Sequence, residues 1–113
     1  MSVSATELTA KKCTACEGNT PPLTPSEVQD HLPAVPHWQL TDDGKMIRRK
    51  YKFPDFVTAM AFLQKVGELA EAEGHHPDLH LTGYRHVTIE LTTHAIGGLS
   101  ANDFIVAAKI DQL

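Results

Sequence analysis

Residues 78–94 read DLHLTGYRHVTIELTTH, and the alternation within them decides the fold. In the first half Leu79 and Leu81 fall on one side, His80 and Thr82 on the other. In the second half Val87, Ile89 and Leu91 make one row, and His86, Thr88, Glu90 and Thr92 make the opposite row. Successive side chains of a strand alternate between faces, so each half reads as a strand with one covered face. A hairpin around TGYR would set the start of the first strand beside the end of the second.

The pattern changes on either side. Upstream, DFVTAMAFLQKVGELAEAEG (55–74) places Phe56, Ala59, Met60, Leu63, Val66 and Ala70 at helical spacing. Asp55 can cap its start, and Gly74 can take the left-handed conformation that ends it. Met60 and Phe62 read as packing residues. Before that helix, HWQLTDDGKMIRRKYKF (37–53) reads as a second hairpin turning at DDG. Its RRK run reads as a solvated or edge-strand face. TPSEVQDHL (24–32) predicts a short helix capped by Thr24 or Ser26, with Glu27 in a capping-box position, and the prolines of LPAVPHW end it. Downstream, SANDFIVAAKIDQL (100–113) predicts a closing helix with Ser100 as cap and Asp103 three residues on.

The element order is therefore α-β-β-α-β-β-α. Its simplest solution is an α+β fold, a four-stranded antiparallel sheet with helices packed on one face. Residues 1–22 are small, polar and broken by GNTPP, which predicts a flexible N-terminal arm ahead of a single domain over 23–113. A chain of 113 residues suits one core rather than two.

Charge and composition exclude several roles. A net charge of -4 and a pI near 5.9 argue against direct nucleic-acid binding. No apolar run reaches the roughly 20 residues that span a bilayer, so no membrane partner is expected. Two cysteines and an N-terminus without an apolar signal region predict a cytoplasmic protein.

Five of the seven histidines lie between residues 75 and 94. His75 and His76 stand between Gly74 and Pro77, and Pro77 biases His76 toward extended backbone. Consecutive side chains there diverge and can address different parts of one ligand. His94 ends the second strand and precedes AIGG, so the predicted hairpin brings it near His75 and His76. Imidazoles, with an unperturbed pKa of about 6.5, suit general acid–base catalysis near neutrality. Metal ligation and an exposed loop without special role stay open on spacing alone. There is no HExxH, and nothing fixes Asp78 and Glu90 toward a common point. CTAC (13–16) offers Cys13 and Cys16 as a CxxC, without the strand–helix context of a redox motif or a second CxxC for zinc. Glu71, one turn before His75, could orient an imidazole. His31 and His37 read as surface residues.

Glu71, His75, His76, Pro77, Tyr84, His94 and Asp103, set in EAEGHHP and THAIGGLSANDF, together resemble the pterin-4a-carbinolamine dehydratase family. LTPSEV, PHWQL and the closing helix agree with it, and the KKCTACEG arm is similar to its longer, plant-like members. The chain departs from the shorter animal members at Gly74, where they carry an acidic residue, and at Asn102, where they carry Arg. The Pro77-to-Tyr84 gap is longer by one residue.

The resemblance implies a reaction: loss of water from a 4a-hydroxytetrahydropterin to give quinonoid dihydropterin, in recycling the cofactor of aromatic amino-acid hydroxylases. It implies His75, His76 and His94 as catalytic residues. His76 would position the pterin, and His75 and His94 would exchange protons with its two faces. Glu71, Pro77 and Asp103 would bind or orient, with Asp103 directed at His94 or closing the pocket. No redox step occurs, so neither cofactor nor metal is implied. A homodimer or homotetramer is expected. The alternative on the same scaffold is a dimerisation cofactor or a protein-assembly factor. The arm is expected to be dispensable for the chemistry.

Overall fold

The apolar rows of the sequence meet in one antiparallel sheet. The computed structural model describes residues 3–14, 18 and 20–113. Its strands are β1 (Gln39–Leu40), β2 (Ile47–Lys52), β3 (Asp78–Thr82) and β4 (His86–Leu91), in the order β1-β2-β4-β3. The register sets Ile47 opposite Leu91, Arg49 opposite Ile89 and Tyr51 opposite Val87, while Leu79 faces Ile89 and Leu81 faces Val87. One apolar row thus runs across three strands, and Ile47, Val87, Ile89 and Leu91 are fully buried in it.

Helices α2 (Pro25–His31), α3 (Phe56–Glu73) and α4 (Ala101–Ile110) complete the α+β fold. Thr24 is the cap of α2: its hydroxyl accepts from the Glu27 amide while the Glu27 carboxylate accepts from the Thr24 amide. Asp55 caps α3 through the Thr58 amide, and Gly74 ends it at φ +65°. The closing helix is more than an amphipathic stripe, because every residue from Asn102 to Ala108 is buried. It packs against α3 and shares one core cluster with the apolar row of the sheet, which leaves only Ala101 exposed and Lys109 half-buried. Helix α3 is the reverse. Ala59, Val66 and Ala70 are buried and Phe62 stacks near Tyr51 and Phe53, but Phe56 and Met60 are 50% and 47% exposed. Met60 is therefore not the packing residue its spacing predicts.

Three further differences bear on the site. The first arm of the upstream hairpin is only two residues long. Trp38 instead turns into the core, where its indole N–H donates to Asp111 at 2.9 Å. The second strand of the downstream hairpin ends at Leu91, and His94 opens a single 3-10 turn, His94–Ile96. The arm departs most from expectation. The sequence predicts a flexible segment over 1–22, whereas α1 (Ala5–Thr9) is capped by Ser4 and places Leu8, 1% exposed, in the same buried cluster as Phe104 and Val106. A single leucine on a short capped helix suffices to dock this segment on α4, and a reading weighted toward its polar composition overlooks it. Cys16 lies outside the described residues, and with it the CxxC.

Candidate active site

Two chain ends of regular elements create the site. At the end of α3 the Gly74 amide donates to the Glu71 carbonyl and the His75 amide to the Ala70 carbonyl, both at 3.2 Å. The left-handed glycine then turns the chain so that His75 and His76 leave the helix axis before β3 begins. At the end of β4, Thr93 pairs with Gly98, and the short turn between them carries His94. Antiparallel pairing of β3 with β4 brings the two ends together. They enclose a cleft of about 370 Å³ lined by His75, His76, His94, Thr92, Thr93 and Asn102, together with Thr14, Gly74 and Ala95. That volume lies within the usual range of small-molecule sites, roughly 300–1,000 Å³.

Asp103 organises its floor. The carboxylate is 0% exposed. One oxygen lies 2.6 Å from His75 Nε2; the other accepts from the Thr93 hydroxyl at 2.8 Å and the Ser100 amide at 2.9 Å. Thr93 and Ser100 hydroxyls also meet at 2.8 Å. A buried carboxylate is tolerated when its lone pairs are satisfied in this way. Asp103 therefore orients His75. Of the two roles expected for it, orienting His94 or closing the pocket, the first is changed: its ring partner is His75 rather than His94, because the N-terminus of α4 packs against the end of α3. His75 keeps only 12% of its side-chain surface open.

The other two histidines are more open. His76 Nε2 lies 2.7 Å from Glu71 Oε1, and both side chains are largely exposed. Glu71 thus orients the second histidine of the pair. His94 is exposed and also borders a second hollow of about 260 Å³ with Asp43, Lys45, Met46, Thr92 and Gly97. The Thr92 hydroxyl donates to the Lys45 carbonyl at 2.6 Å, tying the β1–β2 turn to the His94 segment. Pro77 is half-buried and outside the cleft lining, so its contribution is to the direction of the chain. Tyr84 sits at the hairpin tip at φ +56° and is likewise not among the lining residues.

The remaining histidines stand elsewhere. His80 pairs with Glu90 at 2.8 Å on the open face of the sheet, and His31 stacks against Phe104. Among the described residues, no three His, Cys, Asp or Glu side chains converge as a metal-binding set. Cys13 is a part-buried thiol pushed up to about 12 by burial, reinforced by the neighbouring Glu73 charge and hydrogen bond. A reactive cysteine needs the opposite shift. Burial also acts to raise Glu73, but hydrogen bonds from Lys109 and the Cys13 amide outweigh it and hold the carboxyl below its ordinary range.

Sequence reasoning missed Thr14, Thr92, Thr93 and Asn102 as lining residues. For Thr92 and Thr93 a signal existed, since two hydroxyls immediately precede His94. For Thr14 none did, because its approach to Asn102 spans most of the chain, and Asn102 stood out only as a departure from the family pattern beside Asp103.

A family model described as Pterin 4 alpha carbinolamine dehydratase matches residues 21–113. A Methylococcus capsulatus protein provisionally named pterin-4-alpha-carbinolamine dehydratase is 50% identical over 109 residues, covering 96% of this chain and 95% of that one. The Arabidopsis thaliana protein named pterin-4-alpha-carbinolamine dehydratase 2, mitochondrial, is 44% identical, over 97% of this chain and 60% of its own. Among solved structures, a transcriptional coactivator/pterin dehydratase from Brucella melitensis matches with a TM-score of 0.75 at 35% identity, over 80% of this chain and 96% of that one. A pterin dehydratase-like protein identified as a RuBisCO assembly factor in the alpha-carboxysome matches with a TM-score of 0.56 at 25% identity, over 66% of this chain and 86% of that one.

Proposed function

Because this chain belongs to the pterin-4-alpha-carbinolamine dehydratase family of enzymes, we propose that it dehydrates a 4a-hydroxytetrahydropterin by histidine acid–base catalysis. A base removes the N5 proton, an acid protonates the departing 4a-hydroxyl, and the C4a–N5 double bond forms as water leaves. The product is a quinonoid dihydropterin. Electrons stay within the substrate, so the step needs no oxidant.

The observation that carries the reading is the His75–Asp103 contact of 2.6 Å inside a cleft shared with His94. With Asp103 as a carboxylate, which only accepts, the proton of that bond would sit on His75 Nε2 and leave the Nδ1 lone pair for the substrate. Asp103 would then stabilise the imidazolium that forms as His75 takes a proton, the role a buried carboxylate plays behind other catalytic histidines. His94, on the other element, serves the opposite face of the pterin ring. His76, held by Glu71, positions the ring. Exchange of roles between His75 and His94 accommodates both 4a-hydroxyl stereoisomers.

Among the described residues, no feature favours a dimerisation cofactor or assembly factor. The assembly-factor relative is the more distant one, at 25% identity. Among the described residues, no helix is long and apolar enough to cross a membrane. Cytoplasmic residence belongs to the proposal and rests on the sparse cysteine composition. The Arabidopsis relative is named as mitochondrial, so cell fractionation is the discriminating measurement.

The test is turnover of both freshly generated 4a-hydroxy stereoisomers by the wild type, His75→Ala and His94→Ala, before and after exhaustive chelation. Each substitution is expected to lower kcat by roughly 10²-fold or more, unequally between isomers. Chelation is expected to change nothing. A chelator-sensitive wild type would restore the metal reading, and wild-type rates in both variants would remove these histidines from the mechanism.

A further inference from the structure

The N-terminal segment reaches the cleft at Thr14. Thr14 is one of the lining residues, on the same wall as Asn102. The Asn102 carboxamide engages the Thr14 backbone twice. Its Nδ2 donates to the Thr14 carbonyl at 2.5 Å, and its Oδ1 accepts from the Thr14 amide at 3.1 Å. Only one orientation of the carboxamide satisfies both bonds, which fixes its assignment. Asn102 is 5% exposed while Thr14 is exposed, so these bonds are part-buried and held from the α4 side.

A second anchor lies one residue earlier and outside the cleft lining. The Cys13 amide donates to Glu73 Oε1 at 3.0 Å, and the other Glu73 oxygen is held by Lys109 at 2.8 Å. Leu8, buried in the core, supplies a third hold on the N-terminal side. Beyond the cleft the Leu23 amide donates to the Leu99 carbonyl at 2.8 Å, so the chain is fixed again where it leaves. Three independent anchors on one short stretch exceed what a dispensable tail requires.

We propose that Thr14 is a fixed wall of the pterin cleft and that Asn102 is the positioning residue that holds this wall in place, with the Cys13–Glu73 bond as its support from outside. The inference rests on the dehydratase reading above and adds to it a part of the chain that was expected to be dispensable. The wall stands beside His75 and His76 and limits how a flat ring can tilt between them and His94. Its contribution is preorganisation of the bound substrate, so it belongs to KM and to the choice of ring face more than to the proton transfers.

The test uses the full chain and three variants. Asn102→Ala removes both bonds to Thr14. Thr14→Pro removes the amide donor from the arm's own side and leaves α4 intact, so it remains informative if Asn102→Ala does not fold. Glu73→Ala removes the anchor outside the cleft. Release of the wall is read independently by mass-mapped alkylation of Cys13 with iodoacetamide. That thiol is held protonated by burial beside Glu73, and release returns it toward the ordinary thiol range.

Asn102→Ala and Thr14→Pro are expected to raise KM for the 4a-hydroxytetrahydropterin about 10-fold, to change kcat less than about 3-fold, and to speed Cys13 alkylation at least about 10-fold. Glu73→Ala is expected to raise KM in the same direction without touching the cleft, and it is judged on KM alone, because Glu73 itself helps hold the Cys13 thiol protonated. Fast alkylation with an unchanged KM would overturn the inference, since the wall would be off and unmissed. Alkylation of Cys13 as fast in the wild type as in the variants would overturn it too. A wild type that dehydrates no pterin would instead overturn the functional reading on which the inference rests, and that result shows before any variant is made.

Discussion

Asp103 accepts hydrogen bonds from a ring nitrogen, a hydroxyl and a backbone amide while shut away from water. The bond to the Ser100 amide belongs to the helix cap, and the bond to His75 belongs to the site. One residue therefore ties the stability of α4 to the orientation of an imidazole. Asp103→Asn separates the two. The shape stays, but the negative charge that would favour an imidazolium at His75 is gone. Turnover is expected to fall by about 10²-fold, with a loss of stability of only about 1 kcal/mol from the weakened cap. Parallel kcat and thermal-unfolding measurements check this; equal activity in the asparagine variant would mean that the carboxylate merely caps a helix. Spacing alone identifies Asp103 as a capping-box residue, because a cap is local. It does not identify His75 as the partner. That pairing depends on where the end of α3 lands against the start of α4, a contact across 28 residues of chain.

At the scale of elements, α3 offers a contrast between two glycines. Gly67 lies inside the helix and Gly74 ends it at φ +65°, and a Cβ built on either meets nothing within 4 Å. Space therefore does not distinguish them; backbone conformation does. Gly67→Ala is expected to stabilise the protein by about 0.5–1 kcal/mol, since alanine loses less backbone freedom in a helix. Gly74→Ala is expected to destabilise it by about 1–2 kcal/mol, since an L residue is strained in the left-handed region. Urea unfolding of the two variants decides it, and equal signs would defeat the argument. The same contrast explains what was legible. The period of two in 78–94 and the three-to-four spacing in 55–74 are local, and the strands, α3 and its glycine stop follow from them. The short β1, the exposed Met60 and the docked α1 do not, because each depends on what a distant segment covers. Thus Trp38 leaves the strand register for a bond to Asp111, and Leu8 finds its cover on a helix more than ninety residues away.

At the scale of the whole molecule, the surface is unfinished in specific places. Phe56, Val57 and Met60 are exposed together at the start of α3, at 50%, 76% and 47%. Strand β3 is an edge, so its outward backbone groups lack a strand partner among the described residues, and Leu79 within it is 40% exposed. The open face of the sheet is different in kind. Arg48 bonds Glu90, and Glu90 also bonds His80, so this face is charged and already satisfied. Association through the open face would strip water from those groups with little apolar gain. The edge and the α3 patch carry no such cost, and an edge strand is a template for pairing with a second copy. Closed symmetric assemblies of identical chains are the common solution to surfaces of this kind. The expected species is therefore a homodimer or homotetramer at micromolar concentration, built through the β3 edge, the α3 patch or both. Light scattering on the wild type and on Val57→Glu/Met60→Glu separates the routes. A tetramer that falls to a dimer in the double variant assigns the patch to one interface, and an unchanged assembly assigns association to the edge. A wild type that scatters only as a 12.4 kDa monomer sinks the prediction.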